Sequence, residues 1–134
     1  DNVFKNHEIT IISQALERMI KNETNTNDVL KVNNVRSWLN NTSAKAYSEA
    51  YCIVATSDRV FVNNLSNLQL PVLYLTGSED PNSTSLMSEQ MAQETPNSSS
   101  ESIESEAHMM AYISAKKVNP IIGHFLNNTN NTTA

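Results

Sequence analysis

Residues 71–85, PVLYLTGSEDPNSTS, decide the fold. A proline opens a short, nearly continuous apolar run, Val72 to Leu75, which breaks at Gly77. That is the pattern of a strand buried on both faces. An acidic pair follows, Glu79 and Asp80, then a second proline and a string of small polar residues. Asp80 therefore stands at the open end of an apolar strand. An aspartate after Gly-Ser-Glu and before Pro is, taken alone, an ordinary turn residue and helix cap. It becomes more informative if it has a partner.

Downstream, STSLMSEQMAQETP (83–96) carries Leu86, Met87 and Met91 at helical spacing and closes at Pro96. SSSESIESEAH (98–108) is a weak strand candidate with Ile103 as its one large apolar residue. AYISAKKVNPIIGHFL (111–126), with Ile113, Val118, Ile121, Ile122 and Phe125, suits a final helix, starting late or kinked at Pro120. The order strand, helix, strand, helix predicts an α/β unit of two parallel strands joined by a right-handed helical crossover. Two such strands alone leave edges that need neighbours. Functional side chains in open α/β sheets lie just past the carboxyl ends of the strands. Asp80 follows the first strand and His108 the second, so both are expected at one edge of the sheet. An aspartate that accepts a ring N–H fixes the histidine tautomer and steadies its cation, leaving the other nitrogen as a base. A lone histidine near a strand end is more often a satisfied surface or core residue, so the pair carries more than either member.

Upstream the pattern is helical. EITIISQALERMIK (8–21) places Ile9, Ile12, Leu16, Met19 and Ile20 at helical spacing, with Thr10 or Asn6 as cap. After NETNTND (22–28), Asn27 or Asp28 can cap a second helix with Val29, Val32, Val35 and Leu39 as its stripe and Trp38 beside it. AKAYSEAYCIVATS (44–57) is a third, with Ala44, Tyr47, Tyr51 and Val54 along one face. NNTNNTTA (127–134) is a polar tail expected to be disordered.

The chain has 134 residues, one domain's worth, and a net charge of −5. That balance, without clustered Lys and Arg, speaks against nucleic acid as a partner. No apolar run approaches the roughly 18 residues of a membrane span. A single cysteine, Cys52, excludes an internal disulfide and fits a reducing, cytoplasmic compartment. It reads as a small core or interface residue. Triplets such as Asn40-Asn41-Thr42 and Asn82-Ser83-Thr84 arise by chance in so Asn-rich a chain. His7 and His124 lack ligand-spaced partners, so no metal is expected. With only Gly77 and Gly123, no phosphate- or dinucleotide-cradling loop is possible, and no cofactor is expected. Trp38, Tyr47 and Tyr51 read as helix-packing residues, and Asp58 with Arg59 as a local ion pair of small worth.

The segment from Leu68 to Leu126 resembles the C-terminal end of an α/β-hydrolase. It has the P-V-L-x-L-x-G-x-x-D strand and acid turn, a helix, a strand ending in a histidine followed by methionine, and a closing helix ending in FL. The resemblance spans residues 65–126, and AYSEAYCIVATSDRVFV (46–62) with the helices before it is similar to the family's helical cap. The enol-lactonase and esterase-like branch is the nearest in flavour. Composition sets the tail at 127–134 apart, and the resemblance implies a cap-like segment at 1–64 and the closing strand-helix-strand-helix of the core at 65–126. It implies Asp80 as triad acid, with Glu79 a poorer-spaced competitor, His108 as triad base, Gly77 as the tight turn out of the strand and Met109 as the usual apolar neighbour. Ser105-Glu106-Ala107 departs from the family's glycine-bearing turn, and AYISA stands where an acidic residue and a proline are usual.

In that family the nucleophile precedes the acid, on a G-x-S-x-G elbow. Two glycines cannot supply one, and none of Ser13, Ser37, Ser43, Ser48 or Ser57 lies on a strand-to-helix elbow. The expectation is therefore a truncated reading frame. It is the part of a serine hydrolase that supplies acid and histidine for hydrolysis of a small ester, lactone or similar substrate, and it is inactive alone. Self-association through the exposed sheet edge is expected too. The alternative is a non-catalytic interaction piece, or half of a split α/β protein.

Overall fold

A computed structural model describes residues 14–20, 26–61 and 63–130. In chain order it contains a helical segment at 14–19 (α1), α2 (Thr26–Asn41), α3 (Ala44–Phe61), a 3₁₀ turn (Leu65–Asn67), β1 (Val72–Gly77), α4 (Ser85–Glu94), β2 (Ser98–Ile103), α5 (Met110–Ile113) and α6 (Ala115–Asn130). Expectations for Asn6, His7, Ile9, Thr10, Ile12 and Ser13 lie outside the described residues. So do those for the side chains of Asn27, Asp28, Ala44, Asp58 and Arg59, and for residues 131–134.

The two strands pair in parallel, from Val72 opposite Ser98 to Gly77 opposite Ile103, with α4 between them in sequence. The fold is α/β, as the pattern predicts. β2 has almost no apolar content, yet it is held at its start by Ser98, whose hydroxyl donates to Ala92 O (2.7 Å) and Thr95 O (2.9 Å). Its far end is pinned by the buried Ile103.

The face that α4 buries is not the expected one. Leu86 and Met87 are exposed, while Ser88 and Thr95 are buried and Met91 and Ala92 half-buried. Positions 88, 91, 92 and 95 share one helix face. A face of mostly small side chains lets the helix lie close on a two-stranded sheet, and Tyr74 on β1 meets Thr95 there, hydroxyl to hydroxyl at 2.8 Å. Thr84 caps the helix, its side chain accepting the Met87 N–H at 3.3 Å.

The final helix is split. α5 ends before Ser114, α6 follows, and Pro120 falls inside α6, where it removes one helical N–H donor. α6 continues to Asn130, into the stretch whose composition suggested a tail. Val118 is its most buried side chain, 1% exposed.

Leu16, Ile20, Val32 and Val35 form a buried cluster, against which Met19, Leu39, Met109, Tyr112 and Ile113 pack. Burying each large aliphatic side chain is worth roughly 1.5–3 kcal/mol. This cluster joins the helical half to α5. Polar ties reinforce it: Met109 N–H donates to Met19 O (2.9 Å), Lys31 Nζ to Ile113 O, and Asn34 Nδ2 to the Tyr112 hydroxyl (2.9 Å). The rings of Trp38 and Tyr112 meet at 5.1 Å. Val29, expected in the α2 stripe, is exposed.

α3 departs further from expectation. None of its described side chains is buried. Tyr51 and Val54 of the expected inward face are exposed, as is Ile53 at 70%. Cys52 is exposed as well, so it is not a core residue.

Candidate active site

Both strands run toward the same edge, and two loops leave them there. The β1 loop carries Asp80 and the β2 turn carries His108. Asp80 Oδ2 lies 2.7 Å from His108 Nδ1, across 28 residues of sequence. Oδ1 accepts the backbone N–H groups of Asn82 (2.8 Å) and Ser83 (3.0 Å). The two readings of this aspartate are therefore both realised, one on each oxygen. Oδ1 builds the turn, and Oδ2 holds the histidine. Helix capping, the third role considered for it, falls to Thr84.

Asp80 is 6% exposed. Burial pushes its pKa up, but the Ser83 N–H, the His108 ring, the Asn82 N–H and the charge of the imidazolium together outweigh it, and the net shift is downward from 3.8. An ionised carboxylate has no proton to give, so Nδ1 carries the hydrogen and the basic nitrogen is Nε2. The His108 side chain is 40% exposed. Burying the acid while leaving the imidazole partly accessible is what an orienting acid and a working base require.

The loops are closed against each other by backbone. Ser78 N–H donates to Ile103 O (2.9 Å) and Glu79 N–H to Glu106 O (2.9 Å), while Asp80 N–H closes the β1 turn on Gly77 O (3.1 Å). Ser105 N–H reaches back to Ser78 Oγ at 2.9 Å. Gly77 opens the turn out of β1, its carbonyl accepting the Asp80 N–H, but with a φ that is not positive the turn itself does not require a glycine there. A Cβ there would stand 2.2 Å from Glu106 O and 2.6 Å from Glu106 C. The glycine is needed because the histidine turn lies directly on it. Ser105, in the turn for which the resemblance implied a glycine, takes a left-handed backbone with φ 60°.

Residue-level reading from sequence missed Glu106. It is buried, accepts Ser114 Oγ (2.6 Å) and Lys117 Nζ (2.5 Å), and sits two residues before His108. Nothing in the run SESIESEAH distinguishes it from Glu101 or Glu104. A groove of about 410 Å³ opens at the opposite ends of the strands, between Pro71–Leu73, Asn97–Ser99 and the α6 residues Ile121, His124 and Phe125. It is remote from the Asp80–His108 pair along the strand direction. Among the described residues no three His, Cys, Asp or Glu side chains gather as a metal-binding group. No described helix is long and apolar enough to cross a membrane.

The chain is similar to a hydrolase. Over 95 residues it is 37% identical to the (E)-2-((N-methylformamido)methylene)succinate hydrolase of Acinetobacter baylyi, a match that takes in 71% of this chain and 36% of that relative. The chain thus spans about a third of the length of the curated relative it matches. This likeness supports a relationship to hydrolases. No protein-family model and no solved structure matches the chain.

Proposed function

We propose that the chain is the C-terminal part of an α/β-hydrolase, with Asp80 as the orienting acid and His108 as the base of a serine-dependent reaction. The carrying observation is the 2.7 Å contact between Asp80 Oδ2 and His108 Nδ1, placed past the carboxyl ends of adjacent parallel strands. The similarity to a named hydrolase, and the resemblance of residues 65–126 to the closing elements of the fold, point the same way. Residues 1–64 take the place of the helical cap, and a cytoplasmic setting goes with the single cysteine.

In this mechanism Nε2 of His108 takes the proton of a serine hydroxyl as its oxygen attacks a carbonyl carbon. The imidazolium is steadied by Asp80 and then gives that proton to the leaving group. A second cycle with water releases the acid and restores the serine. The serine and the oxyanion donors belong to sequence beyond the 134 residues. The substrate class is a small ester, a lactone or, following the name of the relative, a formamide-bearing succinate.

The purified chain is expected to hydrolyse a p-nitrophenyl ester only at background. Fused behind the portion of the Acinetobacter relative that it does not match, it is expected to give hydrolysis of that relative's named substrate, lost in His108→Ala. A robust serine-dependent rate from the chain alone, or full activity of the fused His108→Ala variant, contradicts the proposal.

A second reading, a non-catalytic interaction piece, draws on the exposed apolar residues of α3. The DNA immediately upstream discriminates: an in-frame G-x-S-x-G coding region favours the hydrolase, a genuine start codon with a ribosome site the interaction piece.

A further inference from the structure

Glu106 is joined to three separate parts of the site. Its carbonyl oxygen accepts the Glu79 N–H, beside Asp80, at 2.9 Å. Its carbonyl group lies where a side chain on Gly77 would stand. Its carboxylate, buried within the turn, takes Ser114 Oγ on one oxygen at 2.6 Å and Lys117 Nζ on the other at 2.5 Å. Ser114 is the break between α5 and α6, and Lys117 lies in the first turn of α6. A buried carboxylate without such partners is strongly disfavoured, so the side chain settles only where both donors reach it. That fixes the backbone of Glu106, and through the buried Ala107 the backbone of His108.

We infer that Glu106 is a positioning residue: anchored by Ser114 and Lys117, it presses the histidine turn onto Gly77 and so sets the approach of the His108 ring to Asp80. The inference deepens the proposed hydrolase site and rests on the Asp80–His108 pair being formed. Glu106 meets no reacting atom in this scheme. Its influence is carried entirely by the turn.

The test uses the full chain, ¹⁵N-labelled, and follows the His108 Nδ1–H resonance, assigned by its loss in His108→Gln. A ring proton held by a buried carboxylate is shielded from exchange and displaced to low field, which a general loss of stability in a still-folded chain does not change. Asp80→Asn is the control for the pair. If it leaves the resonance in place, the underlying pair fails, whatever Glu106 does. With the pair established, Glu106→Ala is expected to abolish the resonance while amide dispersion elsewhere persists, and Lys117→Arg, which keeps the ion pair, is expected to retain it. The double variant Ser114→Ala/Lys117→Met keeps the carboxylate but removes both anchors. It is also expected to lose the resonance, and it decides the matter if Glu106→Ala does not fold. An unchanged resonance in the folded double variant or in folded Glu106→Ala overturns the inference.

Discussion

Helix α3 and the loop edge of the sheet differ in what closes them. At the sheet edge, residues 77–80 and 103–108 are bound by a series of backbone hydrogen bonds, with a glycine at the closest approach and a buried carboxylate at the centre. α3 has an amphipathic sequence and buries none of its described side chains. Its local polar contacts are of the kind that stabilise any helix, such as Lys45 with Glu49 at 3.7 Å. One region specifies geometry through non-local contacts, while the other buries none of its described side chains. A site that depends on two side chains meeting needs the first kind of structure.

Substitutions can break or sharpen that contrast. The largest effect is expected from Gly77→Ala, because the new methyl meets backbone atoms that cannot rotate aside. Overpacking of this kind costs about 3 kcal/mol, read as a lower midpoint of chemical denaturation. A melt like that of the parent protein would show that the loops are not locked together. Next comes Val118→Ala, which empties a fully buried position and is expected to cost about 2 kcal/mol. The matching Val54→Ala on α3 is expected to change stability by less than about 0.5 kcal/mol. Equal losses at the two valines would mean that α3 is packed in solution.

The two glycines and Ser105 give a finer comparison. Gly123 lies in α6 with open space where a Cβ would go, so Gly123→Ala is expected to stabilise by about 0.5–1 kcal/mol. Ser105→Gly, which relieves a left-handed serine, is expected to raise the unfolding free energy by about 1 kcal/mol. Stability lost at either position argues against the backbone described for it.

The smallest effect is the pH dependence contributed by Asp80, where burial opposes the hydrogen bonds. The folded pKa lies below 3.8, the ordinary value. Folding therefore favours the ionised form, and the contribution is fully present above the unfolded-state value. It is lost as pH falls from 3.8 through the lower folded value. Asp80→Asn removes this component of acid unfolding, and unchanged stability profiles across that range would contradict the assignment.

Much of this was legible in the residues. The apolar run ending at Gly77 gave β1, and a strand-helix-strand order gave parallel pairing. An aspartate and a histidine each placed past a strand pointed to the pair that meets at 2.7 Å. What pattern could not give is which partner each surface meets. Leu86 and Met87 dominate the apolar periodicity of α4, but closeness to the sheet selects Ser88 and Thr95 instead. The stripe of α3 is real in sequence, yet periodicity marks only a capacity for burial. Glu106 was hidden because burial of a glutamate depends on Lys117 and Ser114, two positions in a later helical region. Gly77 was legible as the start of the turn, but the close approach of the Glu106 backbone, which is what demands a glycine, leaves no separate trace in sequence.

The pair itself is tested most directly by a double-mutant comparison in the fused hydrolase, using Asp80→Asn, His108→Ala and both together, with kcat/KM as the readout. Groups acting as one unit are expected to cost on the order of 10³–10⁴-fold singly, with the double variant no worse than the poorer single one. Independent, multiplying losses, or activity that survives His108→Ala, would contradict the account.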